Sequence, residues 1–250
     1  MSMISLIVLF AAGFAAGITN AIAGGGSFMT FPALLFTGLD PRAANITSTI
    51  ALFPTQISTG FAGRKMAGGT PNLSLKSLII ISLGGGAIGA LLLLMTPPAF
   101  FARLVPWLIL FATVVFAYGS FRKRPAEGED KPHLNKFGSV LSQIGISIYG
   151  GYFGGGIGFL MLAALTLAGM SLRKAGTTKN ILAGVMNASA VLVFLFSKDI
   201  GWVQVAIAAI AAIGGGLVGV RLLSKVNERM LRIAVVAIGT TLTIALFLRA

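Results

Sequence analysis

The stretch Asn20-Ala-Ile-Ala-Gly24-Gly25-Gly26-Ser27 combines an amide, three glycines and a hydroxyl. Glycines let a backbone turn without side-chain clash and let a ligand come close to it. Ser27 is placed to cap a following helix. A helix start presents free N–H groups and partial positive charge, which suits an anion. Tyr152-Phe-Gly154-Gly155-Gly156-Ile-Gly158 offers a similar set in the second half of the chain. Two such starts facing one pocket would bind a small anion. The same triplets would equally serve to let helices pack closely.

Two apolar stretches carry further polar groups. On a 3.6-residue period, Asn45, Thr49 and Gln56 share one helix face, and Thr177, Asn180 and Asn187 share another. Asn180 follows Thr49 by 131 residues, and Asn187 follows Gln56 by the same interval. Unpaired amides facing lipid are costly. These side chains are therefore expected to line a substrate path or to tie helices together. Pro54, between Thr49 and Gln56, predicts a kink and a freed carbonyl. Among the cations, Lys179 lies nearest a helix interior. Arg42 and Arg173 flank the short runs at repeat-related positions, either to steer an anion at a pathway mouth or to anchor the chain at the membrane interface.

The elements that must position these residues are repeated. Triple glycines begin at Gly24 and Gly84, and again at Gly154 and Gly214, with 60 residues between the members of each pair. Arg42, Ala44, Thr47 and Ser58 return as Arg173, Ala175, Thr178 and Ser189. A module of about 130 residues is used twice, a pattern found in transporters built from structural repeats. The second and fourth triplets lie within long apolar runs with little polar company, so close packing is their expected role.

The chain is 56% hydrophobic and 10% charged, against roughly 25% charged in soluble domains. Apolar runs fall near 3–23, 27–39, 43–63, 73–96, 99–120, 137–153, 157–170, 175–197, 201–220 and 230–248. A membrane crossing needs about 20 residues, so the runs at 27–39 and 157–170 are too short for a straight span. The predicted fold class is an all-α polytopic membrane protein. It has two inverted repeats of about five helical segments, with glycine-tipped broken or hairpin helices. The expected units are a first repeat at 1–121, a linker at 122–136 and a second repeat at 137–250. No Lys or Arg precedes Arg42, so a cleavable signal peptide is not expected.

Charge distribution orients the segments. If every run reverses the side of the chain, Arg42, Arg103, Lys198 and Arg249 face one side and the remaining basic residues the other. The basic-rich side is cytoplasmic by the positive-inside rule. Both termini are then outside, the linker is inside, and the halves are oppositely inserted. Deep hairpins that turn at Gly24–Gly26 and Gly154–Gly156 distribute the charges in the same way and suit the short runs better.

Several functions are disfavoured. The net charge of +13 is spread between apolar runs, so it flanks a membrane and does not mark a nucleic-acid partner. There is no cysteine, and His133 is the lone histidine and lies in the linker. No metal, cofactor or catalytic residue is therefore expected. None of the six acids falls mid-run, so a pathway through this chain suits anions better than cations.

The stretches Gly17 to Ser27 and Gly38 to Asn45, and a weaker echo from Gly150 to Asn180, resemble the TauE/SafE sulfite-exporter family over essentially the whole chain. The resemblance implies a transporter of the bacterial cytoplasmic membrane for sulfite, sulfoacetate or other organosulfonates, working chiefly in export. It marks Asn20 to Ser27 and Tyr152 to Gly156 as pocket elements. The expected partners are a small anion and the lipid bilayer; self-association into a homo-oligomer is left open by the sequence. An anion channel, or an uptake transporter for other small organic anions, is the alternative.

Overall fold

The computed structural model describes residues 1–22, 25–121, 133–222 and 228–248. They form ten α-helices. The first half contains α1 (Met3–Ile22), α2 (Ser27–Phe36), α3 (Pro41–Gly63), α4 (Leu75–Met95) and α5 (Pro98–Phe121). The second contains α6 (Lys136–Tyr152), α7 (Ile157–Leu167), α8 (Leu172–Phe194), α9 (Trp202–Leu222) and α10 (Glu228–Phe247). Among the described residues there is no strand. Four helices, α1, α4, α5 and α9, are long and apolar enough to cross a membrane. Gly24, most of the 122–136 linker and Arg249 lie outside the described residues.

The short apolar runs become short helices for local reasons. α2 and α7 have 10 and 11 residues, about 15–17 Å at 1.5 Å per residue, or half a bilayer core. Both end in the same glycine motif. Gly38 and Gly169 take φ of 95° and 90°. The next N–H groups, of Leu39 and Met170, reach back to the carbonyls of Leu34 and Leu165. That satisfies helix-end carbonyls and stops the helix. Asp40 then restarts the chain as α3, accepting from the N–H groups of Arg42 and Ala43, with Pro41 at the first helical position. One expectation is corrected at the other end of α2. Gly26 holds the N-cap position and Ser27 is already inside the helix. α3 also continues as helix through Pro54, whose ring leaves the carbonyl four residues back without its usual donor.

The halves interlock. α1 packs on α9, α4 on α6, α3 on both α8 and α9, α4 on α8, α5 on α10 and α7, and α2 on α10. Exchange each helix for the one five places along and these contacts reproduce themselves. The α1–α9 pair becomes α6–α4, the α3–α9 pair becomes α8–α4, and α3–α8 and α5–α10 map onto themselves. One aromatic-rich core draws Phe28, Phe31, Phe101 and Phe116 from the first half and Phe153, Phe159 and Phe194 from the second. Glycines set the closest approaches. Gly85 and Gly89 on α4 abut Ser147 and Ile148 of α6, while Gly215 on α9 abuts the Phe14 carbonyl of α1. Backbones approach this closely only where side chains are absent. Large apolar side chains such as Phe10, Ile80, Trp107, Phe137, Leu192 and Trp202 stay exposed on the periphery.

Candidate functional site

Two helices and two loop–helix junctions enclose a cavity of about 60 Å³. α3 contributes Thr49, Leu52 and Gln56, and α8 contributes Lys179, Asn180, Ala183 and Asn187. The spacings 49, 52, 56 and 180, 183, 187 each keep side chains on one helix face. The two sets are also repeat mates, member by member, at an interval of 131. Asn20, Gly25 and Ser27 come from the α1–α2 junction. Gly154, Gly156, Ile157 and Gly158 come from the α6–α7 junction.

The junctions reach the cavity because glycines permit the turn. Gly25, Gly154 and Gly156 have φ of 87°, 79° and 73°, a region side-chain-bearing residues rarely occupy. Gly156 is the N-cap of α7, so the start of that helix, with its partial positive charge, faces the cavity. Lys179 stands beside it: a Cβ on Gly158 would lie 3.7 Å from the Lys179 Nζ. A cation and a helix start side by side repel one another and both attract an anion.

The polar side chains are held by specific bonds. Asn187 Nδ2 donates to Gln56 Oε1 at 2.6 Å, so two repeat mates bond to each other between α3 and α8. Thr49 Oγ1 donates to the Asn45 carbonyl at 2.9 Å. The Gly26 N–H donates to Asn20 Oδ1 at 2.8 Å. No carboxylate lines the cavity, and no group of three or more His, Cys, Asp or Glu gathers among the described residues. The donor set therefore consists of amides, hydroxyls, one amine and backbone N–H groups, which suits an oxyanion and offers a metal no anionic ligand.

Most residues singled out by sequence meet in this cavity: Asn20, Gly25, Ser27, Thr49, Gln56, Gly154, Gly156, Lys179, Asn180 and Asn187. Others are placed elsewhere. The Gly155 carbonyl accepts from Tyr149 Oη at 2.9 Å, and Gly155 borders a separate, mainly apolar void of about 10 Å³. Tyr152 packs its ring on Phe101, sets its hydroxyl 3.3 Å from Thr96 Oγ1 and accepts from Asn45 Nδ2 through its carbonyl at 3.0 Å. The buried Asn45 side chain is thereby committed to Tyr152 and does not line the cavity with Thr49 and Gln56. Thr177 bonds to carbonyls of its own helix. Arg42 is a structural tie. It forms a 2.5 Å ion pair with Asp199 and donates to the carbonyl of Thr96 at 2.9 Å. Arg173 is exposed and does not line the cavity.

Leu52 and Ala183 carry no signal of their own in the sequence, and Ile157 and Gly158 belong to the quoted glycine motif without being assigned to the pocket. The helical period that selected Thr49, Gln56, Asn180 and Asn187 also selects Leu52 and Ala183, but an apolar residue in an apolar helix gives no separate signal. Ile157 and Gly158 follow directly on the third glycine triplet.

Residues 9–246 match the family model described as "Sulfite exporter TauE/SafE". The chain is 30% identical over 245 residues to a "Probable membrane transporter protein" of Haemophilus influenzae, covering 95% of this chain and 92% of that protein. It is 30% identical over 247 residues to "Probable membrane transporter protein ORF9" of Sinorhizobium sp, covering 96% and 92%. It is 27% identical over 250 residues to "Probable membrane transporter protein YfcA" of Escherichia coli K12, covering 97% and 90%. No solved structure matches the chain.

Proposed function

We infer that this chain, which belongs to the TauE/SafE sulfite exporter family, works as a multi-pass membrane transporter. From that membership and the cavity we propose that it carries small sulfur-containing anions, sulfite or organosulfonates such as sulfoacetate, out across the bacterial cytoplasmic membrane by alternating access. The observation that carries this proposal is the cavity itself. It lies between the two halves and gathers Lys179, the start of α7 and several amide and hydroxyl groups, with no lining acid among the described residues. A sulfonate or sulfite group presents three oxygens to such donors. A helix start adds on the order of 0.3–1 kcal/mol when exposed and up to about 2 when partly buried.

The contacts that survive the five-helix exchange support two structural repeats about this centre, and in this reading the repeats are inverted and rock against each other. The charge pattern supports both termini outside and the 122–136 linker in the cytoplasm. The chain contains no cysteine, so single cysteines introduced at Ser2 and Lys136 report sidedness cleanly. Labelling of both from the same compartment overturns the inverted arrangement.

The function is tested on purified protein. A thermal-shift screen with sulfite, sulfate, sulfoacetate, taurine and simple carboxylates should show stabilisation by the sulfur oxyanions, because a ligand of the folded form stabilises it by mass action. Proteoliposomes should then release the stabilising anion at a saturable rate. Stabilisation by carboxylates alone moves the substrate class. Unitary currents make the protein a channel.

A further inference from the structure

The first-half wall of the cavity holds a donor without an acceptor. The Gly26 N–H can only donate, and it points 2.8 Å from Asn20 Oδ1. That fixes which end of the Asn20 amide is oxygen. The other end, Nδ2, is buried and has no hydrogen-bond partner among the described residues. Buried donors are nearly always paired, and Asn20 lines the cavity.

Gly26 explains how the amide is seated. Its φ of −55° and ψ of −29° suit any residue, so backbone freedom does not require glycine here. Space does. A Cβ on Gly26 would lie 2.7 Å from Asn20 Nδ2 and 2.8 Å from Cγ and Oδ1. The second half offers no side chain at the equivalent position: Gly150 and Gly151 stand 130 and 131 residues after Asn20.

We propose that Asn20 is an amide relay. Its oxygen takes up the N–H donor at the start of α2, and its Nδ2 presents a donor to one oxygen of the bound anion. The ligand must then carry a bare acceptor at the first-half wall, and the unmatched second half makes it bind in one orientation. The relay rests on the proposal that the cavity binds a small anion.

Two variants test it by isothermal titration with sulfite and methanesulfonate on detergent-purified protein. Asn20→Asp keeps the shape and the acceptor for Gly26, and a helix start favours its charge. A purely structural role therefore predicts unchanged melting in Asn20→Asp, with binding lowered only by the added charge, and unchanged binding in Gly26→Ala. The relay predicts unchanged melting and at least a tenfold loss of affinity. Gly26→Ala displaces the amide without adding charge and should weaken the same binding severalfold. Loss in both variants supports the relay. Loss in Asn20→Asp with affinity retained in Gly26→Ala is charge repulsion alone and overturns it. Retention in both overturns the relay and leaves the anion site standing. If Asn20→Asp does not fold, Gly26→Ala decides by the same criterion. Failure of the wild-type protein to bind either probe removes the anion site and the relay with it.

Discussion

The two halves agree in their helix pairing and in part of the cavity wall, and differ in where they carry charge. Thr49, Leu52 and Gln56 on α3 face Asn180, Ala183 and Asn187 on α8 in matched positions. Two threonines match as well: Thr47 Oγ1 accepts from the Gly201 N–H, and Thr178 Oγ1 from the Gly68 N–H, both at 3.1 Å. The charges do not match. The counterpart of Lys179 is Ser48, which is buried and pairs with Thr30 at 2.6 Å. Arg42 is bound to Asp199, whereas Arg173 is exposed and the counterpart of Asp199 is Gly68. Duplication supplied a common scaffold. Differences at a few positions leave the cavity lining, among the described residues, with a single cation, Lys179, supplied by the second half.

The symmetric part breaks most severely. Gly17 on α1 and Gly89 on α4 each meet backbone of the facing helix. Gly17→Val and Gly89→Val should each abolish monodisperse protein on size-exclusion chromatography, since overpacking costs about 1–3 kcal/mol or more. A large loss in one and none in the other would show that the halves are not packed alike. Next comes the asymmetric charge. Lys179→Met should weaken sulfite or methanesulfonate binding by roughly 10-fold to 100-fold, the range of a charged hydrogen bond, while Arg173→Met stays within about twofold. Equal losses in titration would erase the distinction between the halves.

A smaller effect tests the shared centre. Gln56→Ala and Asn187→Ala should each weaken binding about fivefold, near 1 kcal/mol for a neutral hydrogen bond. The double variant should lose little more, because the two side chains form one bond. Additive losses would assign them separate roles. The smallest effect is at the ion pair, whose side chains are 16% and 29% exposed. Asp199→Asn should lower stability by less than about 1 kcal/mol, and less again at high salt. Arg173→Asn should change neither, as thermal melts in low and high salt would show.

Apolar run length and the 131-residue interval made the ten helices and their pairing in sequence legible, including the two half-length ones. The helical period placed Thr49, Gln56, Asn180 and Asn187 on common faces, and all four reach the cavity. What stayed hidden depends on neighbours remote in sequence. Arg42 meets Asp199 across 157 residues, and no local pattern reports that encounter. Tyr152 was grouped with the glycines beside it, but Phe101 and Thr96 draw its ring away. Ser27 has the composition of a cap, yet the Asn20 side chain already serves the N–H group at that helix start.

The bond between Gln56 and Asn187 carries one more consequence. A residue that touches its own duplicate must be complementary to itself. Lysine against lysine or glutamate against glutamate would repel, and leucine against leucine would leave the pathway greasy. A primary amide, like a hydroxyl, both gives and takes a hydrogen bond with a second copy of its own kind. When a gene doubles, a position at such a meeting point works at once only if its chemistry is reciprocal, and either member can then drift between asparagine and glutamine without breaking the handshake.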